Sequence, residues 1–125
     1  MPPDSRDAAH LWDMLSAARE AHGVVKDISL EAFMADRLRL RALERTLELL
    51  GEAARRVSLP GRASYSEIPW RPPPRGLPSG RALIGQRNLL AHEYGRINPA
   101  LLYQAASDNV PSLIIALERI VGTTE

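Results

Sequence analysis

At 125 residues, with 45% hydrophobic and 25% charged residues, the chain can bury one sizeable core but not two, and its composition excludes disordered and membrane classes. The absence of cysteine excludes disulfides and thiolate metal sites. With no apolar run of membrane-spanning length and no signal-peptide pattern in Met1-Pro2-Pro3-Asp4-Ser5-Arg6-Asp7, a cytoplasmic protein is expected. A net charge of +1 excludes nucleic-acid binding by bulk charge, so any basic surface must be local.

Apolar residues recur at helical spacing along most of the chain. A first helix is expected over residues 7–22, with Leu11, Met14, Leu15, Ala18 and Val25 at helical spacings and an end near Gly23. Ser29 is placed to N-cap a short helical turn containing Leu30, Phe33 and Met34. A long helix follows over residues 36–57, with Leu40, Leu43, Leu47, Leu50, Ala54 and Val57 facing the core. Glu44, Glu48 and Glu52 lie one turn apart on its outer face. These like charges repel, which suggests that Glu52 turns towards an arginine, with Arg87 as one candidate.

Pro60 and Gly61 end that region, and residues 59–80 hold most of the prolines without a helical period, so a loop is expected there. Ser79 is positioned to cap a further helix from Gly80 to His92 or Tyr94, stopping at Gly95. Asn98-Pro99 is a helix start, with Asn as cap and Pro in the first turn. The last helix carries Leu101, Leu102, Ala105, Val110, Leu113, Leu117, Ile120 and Val121, and Pro111 should kink or split it near Asp108. The whole chain, residues 1–125, is therefore expected to be one all-α domain. It would be an up-and-down antiparallel bundle of four to five helices, with a Pro-rich loop before the helix bearing residues 87–94.

That helix carries the densest chemistry. Arg87-Asn88-Leu89-Leu90-Ala91-His92-Glu93-Tyr94 offers a permanent cation, an imidazole and a phenol within eight residues. At about 100° per residue, Asn88 and His92 stack one turn apart with Gly85 beside them, and Arg87 lies to one side. Leu83, Ile84, Leu90 and Ala91 fall on a separate arc suited to packing. On spacing alone the plainer reading has His92 favourably placed at a helix C-terminus and Tyr94 packed on the last helix. Likewise His10 and His22 read as exposed helix-surface residues, and Trp12 and Trp70 as packing anchors. The Gly51-Glu52-Ala53-Ala54 run reads as a close helix contact, and Arg55 and Arg56 as a solvated helix end with some scope to touch RNA. Fifteen of the sixteen basic residues are Arg; codon composition explains that bias, although the guanidinium fork also suits phosphate.

The Arg87-x4-His92-x-Tyr94 stretch resembles the motif of HepT-like toxins, a branch of the HEPN superfamily of small helical ribonucleases. Phe33-Met34-Ala35-Asp36-Arg37, Leu49-Leu50-Gly51-Glu52-Ala53-Ala54-Arg55-Arg56 and Ile68-Pro69-Trp70-Arg71 resemble the same family in the same order. The likeness runs over residues 11–121. One departure is the insertion 71–80, Arg71-Pro72-Pro73-Pro74-Arg75-Gly76-Leu77-Pro78-Ser79-Gly80, where the family has a short link.

The resemblance implies a metal-independent endoribonuclease with Arg87 and His92 catalytic and Asn88 and Tyr94 supporting or RNA-binding. Histidine as a residue type can serve as base or acid near neutral pH, which makes His92 the natural candidate. Arg87 can stabilise charge on the phosphoryl oxygens. Asn88 either orients the imidazole or binds phosphate, and Tyr94 either hydrogen-bonds the nucleotide or stacks on a base. One chain supplies one such histidine, whereas a concerted acid and base need two, so a homodimer with a composite cleft is expected. The family further implies a type VII-like toxin–antitoxin pair, in which a minimal nucleotidyltransferase antitoxin adds AMP to Tyr94. The RNA substrate would be tRNA or mRNA. No metal, cofactor or membrane is expected: His10, His22 and His92 lack ligand spacing, and no phosphate-binding glycine loop is present. The other reading is a non-catalytic HEPN module that partners the nucleotidyltransferase.

Overall fold

Capping residues and apolar spacing divide the chain into helices whose bounds follow local chemistry. The computed structural model describes residues 5–68, 70 and 99–122. Among them are α1 (Ser5–Val25), α2 (Leu30–Met34), α3 (Arg37–Arg56), α4 (Leu59–Ser64), α5 (Pro99–Asp108) and α6 (Val110–Gly122), with no strand. The fold is all-α, as the periodicity indicates.

α1 is longer than its sequence suggests. It continues through Gly23, which is exposed and where an added Cβ would meet nothing within 4 Å, because Val25 beyond it is buried and draws the last turn onto the core. The chain then turns at Asp27, whose φ of 61° is the left-handed conformation that ends helices. Arg39 supports that end from the next helix, donating from Nη1 to the Val24 carbonyl at 2.9 Å. Ser29 caps α2, its Oγ accepting from the Ala32 N–H at 3.1 Å, and Asp36 caps α3, accepting from the Arg39 N–H at 3.1 Å.

α1 and α3 run antiparallel, since Asp7 meets Ser58 at one end and Arg39 meets Val24 at the other. Leu11, Met14, Leu15 and Ala18 of α1 are fully buried with Leu43, Leu47 and Leu50 of α3. Burial of each such leucine contributes roughly 1.5–3 kcal/mol. Gly51, Ala53 and Ala54 are buried as well, in the last turns of α3. Thr46, also buried, satisfies its hydroxyl by donating to Ala42 and Leu43 carbonyls, each at 3.0 Å.

The interruption between α5 and α6 falls at Asn109, and Pro111 stands in the first turn of α6, where its missing N–H cannot continue the hydrogen bonds of α5; Asn109 still donates to the Ala105 carbonyl at 3.0 Å. Leu102, Ala106, Leu117 and Val121 carry both helices onto the common core, while Leu101 is half-exposed. Arg19 of α1 pairs with Glu118 of α6 at 2.7 Å; both side chains are about half exposed, so the pair contributes little to stability.

α4 corrects the expected loop over residues 59–80. Pro60 sits in a first helical turn, where its missing N–H costs nothing, and Ser58 caps that turn by accepting from the Gly61 N–H at 3.0 Å. The Pro-Gly pair therefore opens a short helix rather than closing a long one. Among the described residues no helix is long and apolar enough to cross a membrane.

Candidate functional site

Arg87, Asn88, His92 and Tyr94 lie outside the described residues, as do the Pro-rich insertion 71–80, the Ser79 cap and Asn98. The described residues define the two flanks of that stretch: Trp70 before it and Pro99 after it.

The first flank is built on a buried carboxylate. Asp7, only 5% exposed, accepts from the Ser58 N–H at 2.9 Å and from the Ser58 hydroxyl at 2.6 Å. Ser58 in turn caps α4, so one carboxylate ties the start of α1 to the α3–α4 junction. Gly61 is required here, because a Cβ would collide with the Asp7 carboxylate.

Arg62 of α4 then folds back on α3. Its Nε donates to the Val57 carbonyl at 3.1 Å and its Nη2 to the Arg55 carbonyl at 2.9 Å, which satisfies two carbonyls at the α3 C-terminus. The outer face of the same guanidinium lies 5.9 Å from the Trp70 ring centroid. Trp70 is fastened again by its Nε1, which donates to the Tyr65 carbonyl at 3.0 Å, and Ile68 beside it is fully buried. Trp70 is thus a packing anchor at the root of the stretch leading to Arg87. Sequence reasoning missed Arg62; the Ser58-x-Pro60 helix start was the available signal. Nearby, burial raises the Tyr65 phenol pKa above 10.0, with smaller contributions from the Glu67 and Asp7 carboxylates.

The second flank lies at the other end of the bundle. Tyr103 of α5 donates its hydroxyl to the Ile28 carbonyl and packs against Phe33, with ring centroids 5.4 Å apart. The described chain therefore departs at the Asp7–Ser58 end and re-enters near the α1–α2 turn.

Other expectations resolve individually. Glu44 and Glu48 pair with Arg41 at 3.1 Å and Arg45 at 3.9 Å, which relieves the like-charge row. His10 is not simply a surface residue: it is half-buried, and its buried Nδ1 has no hydrogen-bond partner. His22 is also half-buried rather than exposed. Trp12, expected to anchor packing, is 38% exposed, because Leu11, Met14 and Leu15 occupy the buried arc of α1 and leave it outside. Arg55 and Arg56 are exposed, as a solvated helix end requires.

Comparison with known proteins fits this bundle. The family model described as "Ribonuclease HepT-like" matches residues 14–120, a span that includes Arg87 to Tyr94. A protein of Methanocaldococcus jannaschii is 30% identical over 105 residues, covering 84% of this chain and 87% of its own. One from Caldanaerobacter subterraneus is 32% identical over 89 residues, covering 71% of this chain and 70% of its own. Both bear the name "Putative RNase". A Thermococcus cleftensis protein named "Probable ribonuclease HepT" is 26% identical over 111 residues, 89% of this chain and 92% of its own. No solved structure gives a significant match. The chain belongs to the HepT-like ribonuclease family, within the HEPN class of helical proteins.

Proposed function

We propose that this chain is the toxin of a type VII-like toxin–antitoxin pair: a single-domain, cytoplasmic, metal-independent endoribonuclease that uses Arg87 and His92. The observation that carries this reading is the family match over residues 14–120, which spans the intact Arg87-x4-His92-x-Tyr94 stretch. Cleavage of RNA needs a base to take the proton of the ribose 2′-OH and an acid to protonate the departing 5′ oxygen. The 2′ oxygen attacks phosphorus, the P–O5′ bond breaks, and the ends are a 2′,3′-cyclic phosphate and a 5′-hydroxyl. His92 supplies the proton transfers and Arg87 neutralises the phosphoryl oxygens in the transition state. Asn88 and Tyr94 hold the imidazole or the nucleotide. Two protomers supply the two histidines, so the active unit is a homodimer. The substrate is tRNA or mRNA.

Control falls to a minimal nucleotidyltransferase antitoxin. Transfer of AMP from ATP to the Tyr94 hydroxyl, with release of pyrophosphate, sets a phosphodiester beside Arg87 and His92. That group then occupies the place of the RNA phosphate.

The test is cleavage of total RNA in EDTA by the purified wild-type chain and by His92→Ala. Cleavage by wild type alone, with loss of about 10²–10⁴ in rate for the variant, is the expected result. Equal cleavage by both would remove His92 from the mechanism. No cleavage by wild type whose intact mass shows no AMP would make the chain a non-catalytic partner of the nucleotidyltransferase.

A further inference from the structure

Trp12 stands apart from the other aromatic side chains among the described residues. Phe33 is buried, and Tyr65, Trp70 and Tyr103 pack against the core. Trp70 and Tyr103 also donate to the Tyr65 and Ile28 carbonyls. Trp12 is 38% exposed and makes no hydrogen bond, ring stack or cation contact among the described residues. The cause is local. One turn away on α1 stand Ala8, Ala9, Leu15 and Ser16. Leu15 is turned into the core, and the other three are too small to cover an indole. A helical side chain leans back over the preceding turn, here onto Ala8 and Ala9, which leaves the outer side of the ring open.

Open aromatic surface of this kind serves either as the anchor of a protein interface or as a platform for a nucleic-acid base. An interface anchor sits among other apolar contacts. Ile115 is the exposed large apolar residue of α6, and it does not supply them. Tyr103 places α5 beside the α1–α2 turn. The bonds from Asn109 to Ala105 and from Leu113 to Asn109 carry the chain on from there, so α6 runs antiparallel to α1. Arg19 and Glu118 then mark one level of the bundle. Ile115 lies three residues to one side of that level and Trp12 seven to the other, about 15 Å apart along the helix axes. A lone ring among small residues suits a flat ligand that brings its own π-face, and the ribonuclease reading above supplies one. The acids on this side do not bar it. Asp13 and Glu20 leave α1 at least about 80° round from Trp12, and Glu118 is paired with Arg19 at 2.7 Å. They do leave this face without a net positive field, so the main attraction is stacking, which every base supports. Arg19 falls two turns after Trp12 on the same line of the helix, and its half-exposed fork keeps donors for a phosphate beside the one on Glu118. We infer that Trp12 is a stacking platform for a base of single-stranded RNA, with Arg19 taking a backbone phosphate. This inference rests on the ribonuclease reading and deepens it by naming a substrate contact outside residues 87–94.

The experiment adds an unlabelled single-stranded RNA of mixed sequence to the full chain and follows indole emission. A fluorescein-labelled copy of the same RNA gives the affinity across a sodium chloride series. The variants are Trp12→Leu, which keeps an apolar side chain without a π-face, Trp12→Phe, which keeps the π-face, and the control Ile115→Ser. RNA should quench the emission of wild type and leave that of Trp12→Phe, which retains only Trp70, nearly unchanged. Affinity should fall about tenfold in Trp12→Leu and stay near wild type in Trp12→Phe and the control. The log–log salt slope should be the same for all four, since no charge is removed, whereas Arg19→Gln should make it shallower by about 0.7. In cleavage by Trp12→Leu, KM should rise while kcat holds. If wild type binds RNA without quenching, or Trp12→Leu binds as tightly as wild type, the inference is overturned while the ribonuclease reading stands. The quenching comparison uses the phenylalanine variant, so it decides the matter even if leucine weakens the fold. Unchanged RNA affinity with loss of the dimer in Trp12→Leu would reassign the ring to a protein contact and also overturn it. A wild type that neither binds nor cleaves RNA would sink both readings.

Discussion

Asp7 shows how one side chain sets a junction. Both of its contacts with Ser58 reach across 51 residues, and the Ser58 hydroxyl passes the restraint on to the Gly61 N–H. Because the carboxylate is 5% exposed, removing it leaves the Ser58 N–H without its acceptor in a site where water does not readily replace it. Asp7→Ala is therefore expected to destabilise the chain by about 2–3 kcal/mol in urea unfolding. Ser58→Ala should cost about 1–2 kcal/mol, since it loses both a partner of Asp7 and the α4 cap. The two should be markedly non-additive, because each deletion breaks the same network. Additive effects would mean that the junction does not act as a unit. None of this was legible in the sequence, where Asp7 is one acidic residue near a helix start and Ser58 a polar residue before a proline.

At the scale of elements, the readable parts were those whose cause is local. The Ser29 and Asp36 caps, the α3 bounds and the break just before Pro111 all follow from residues within one turn of the event. The misreadings share a different cause. Gly23 permits a helix to end but does not compel it, and burial of Val25 carries α1 past it. Pro60-Gly61 suits a loop or a first helical turn equally well, and the contact between Gly61 and Asp7 selects the turn. Trp12 was assigned to packing by residue type, whereas its position on the helix places it outside the buried arc. The candidate site was legible only as a motif, because spacing names residues without placing them. Arg62 makes the same point physically: it links α3, α4 and Trp70 through two carbonyls and one ring face. Arg62→Ala should cost about 2 kcal/mol by loss of those charged hydrogen bonds and the stack. Arg62→Lys should recover only part, since an ammonium cannot reproduce the planar fork. Full recovery by lysine, read from the urea midpoint, would show that charge alone matters there.

For the whole molecule the decisive question is how many chains make one active site. The proposed mechanism needs a base and an acid acting across one phosphate, and each chain brings a single His92 to it. A two-fold axis that juxtaposes two copies of the motif meets that need without any further residue type. Static light scattering at micromolar concentration should then give twice the monomer mass. Mass alone would not tie the dimer to the chemistry, so the stronger experiment mixes wild type with His92→Ala and lets subunits exchange. If each cleft requires both histidines, an equal mixture retains about a quarter of full activity, since only wild-type pairs cleave. If each protomer works alone, the same mixture retains about half. A linear decline with variant fraction would reject the composite cleft even if the protein proved dimeric, and would leave one His92 to perform both proton transfers in turn.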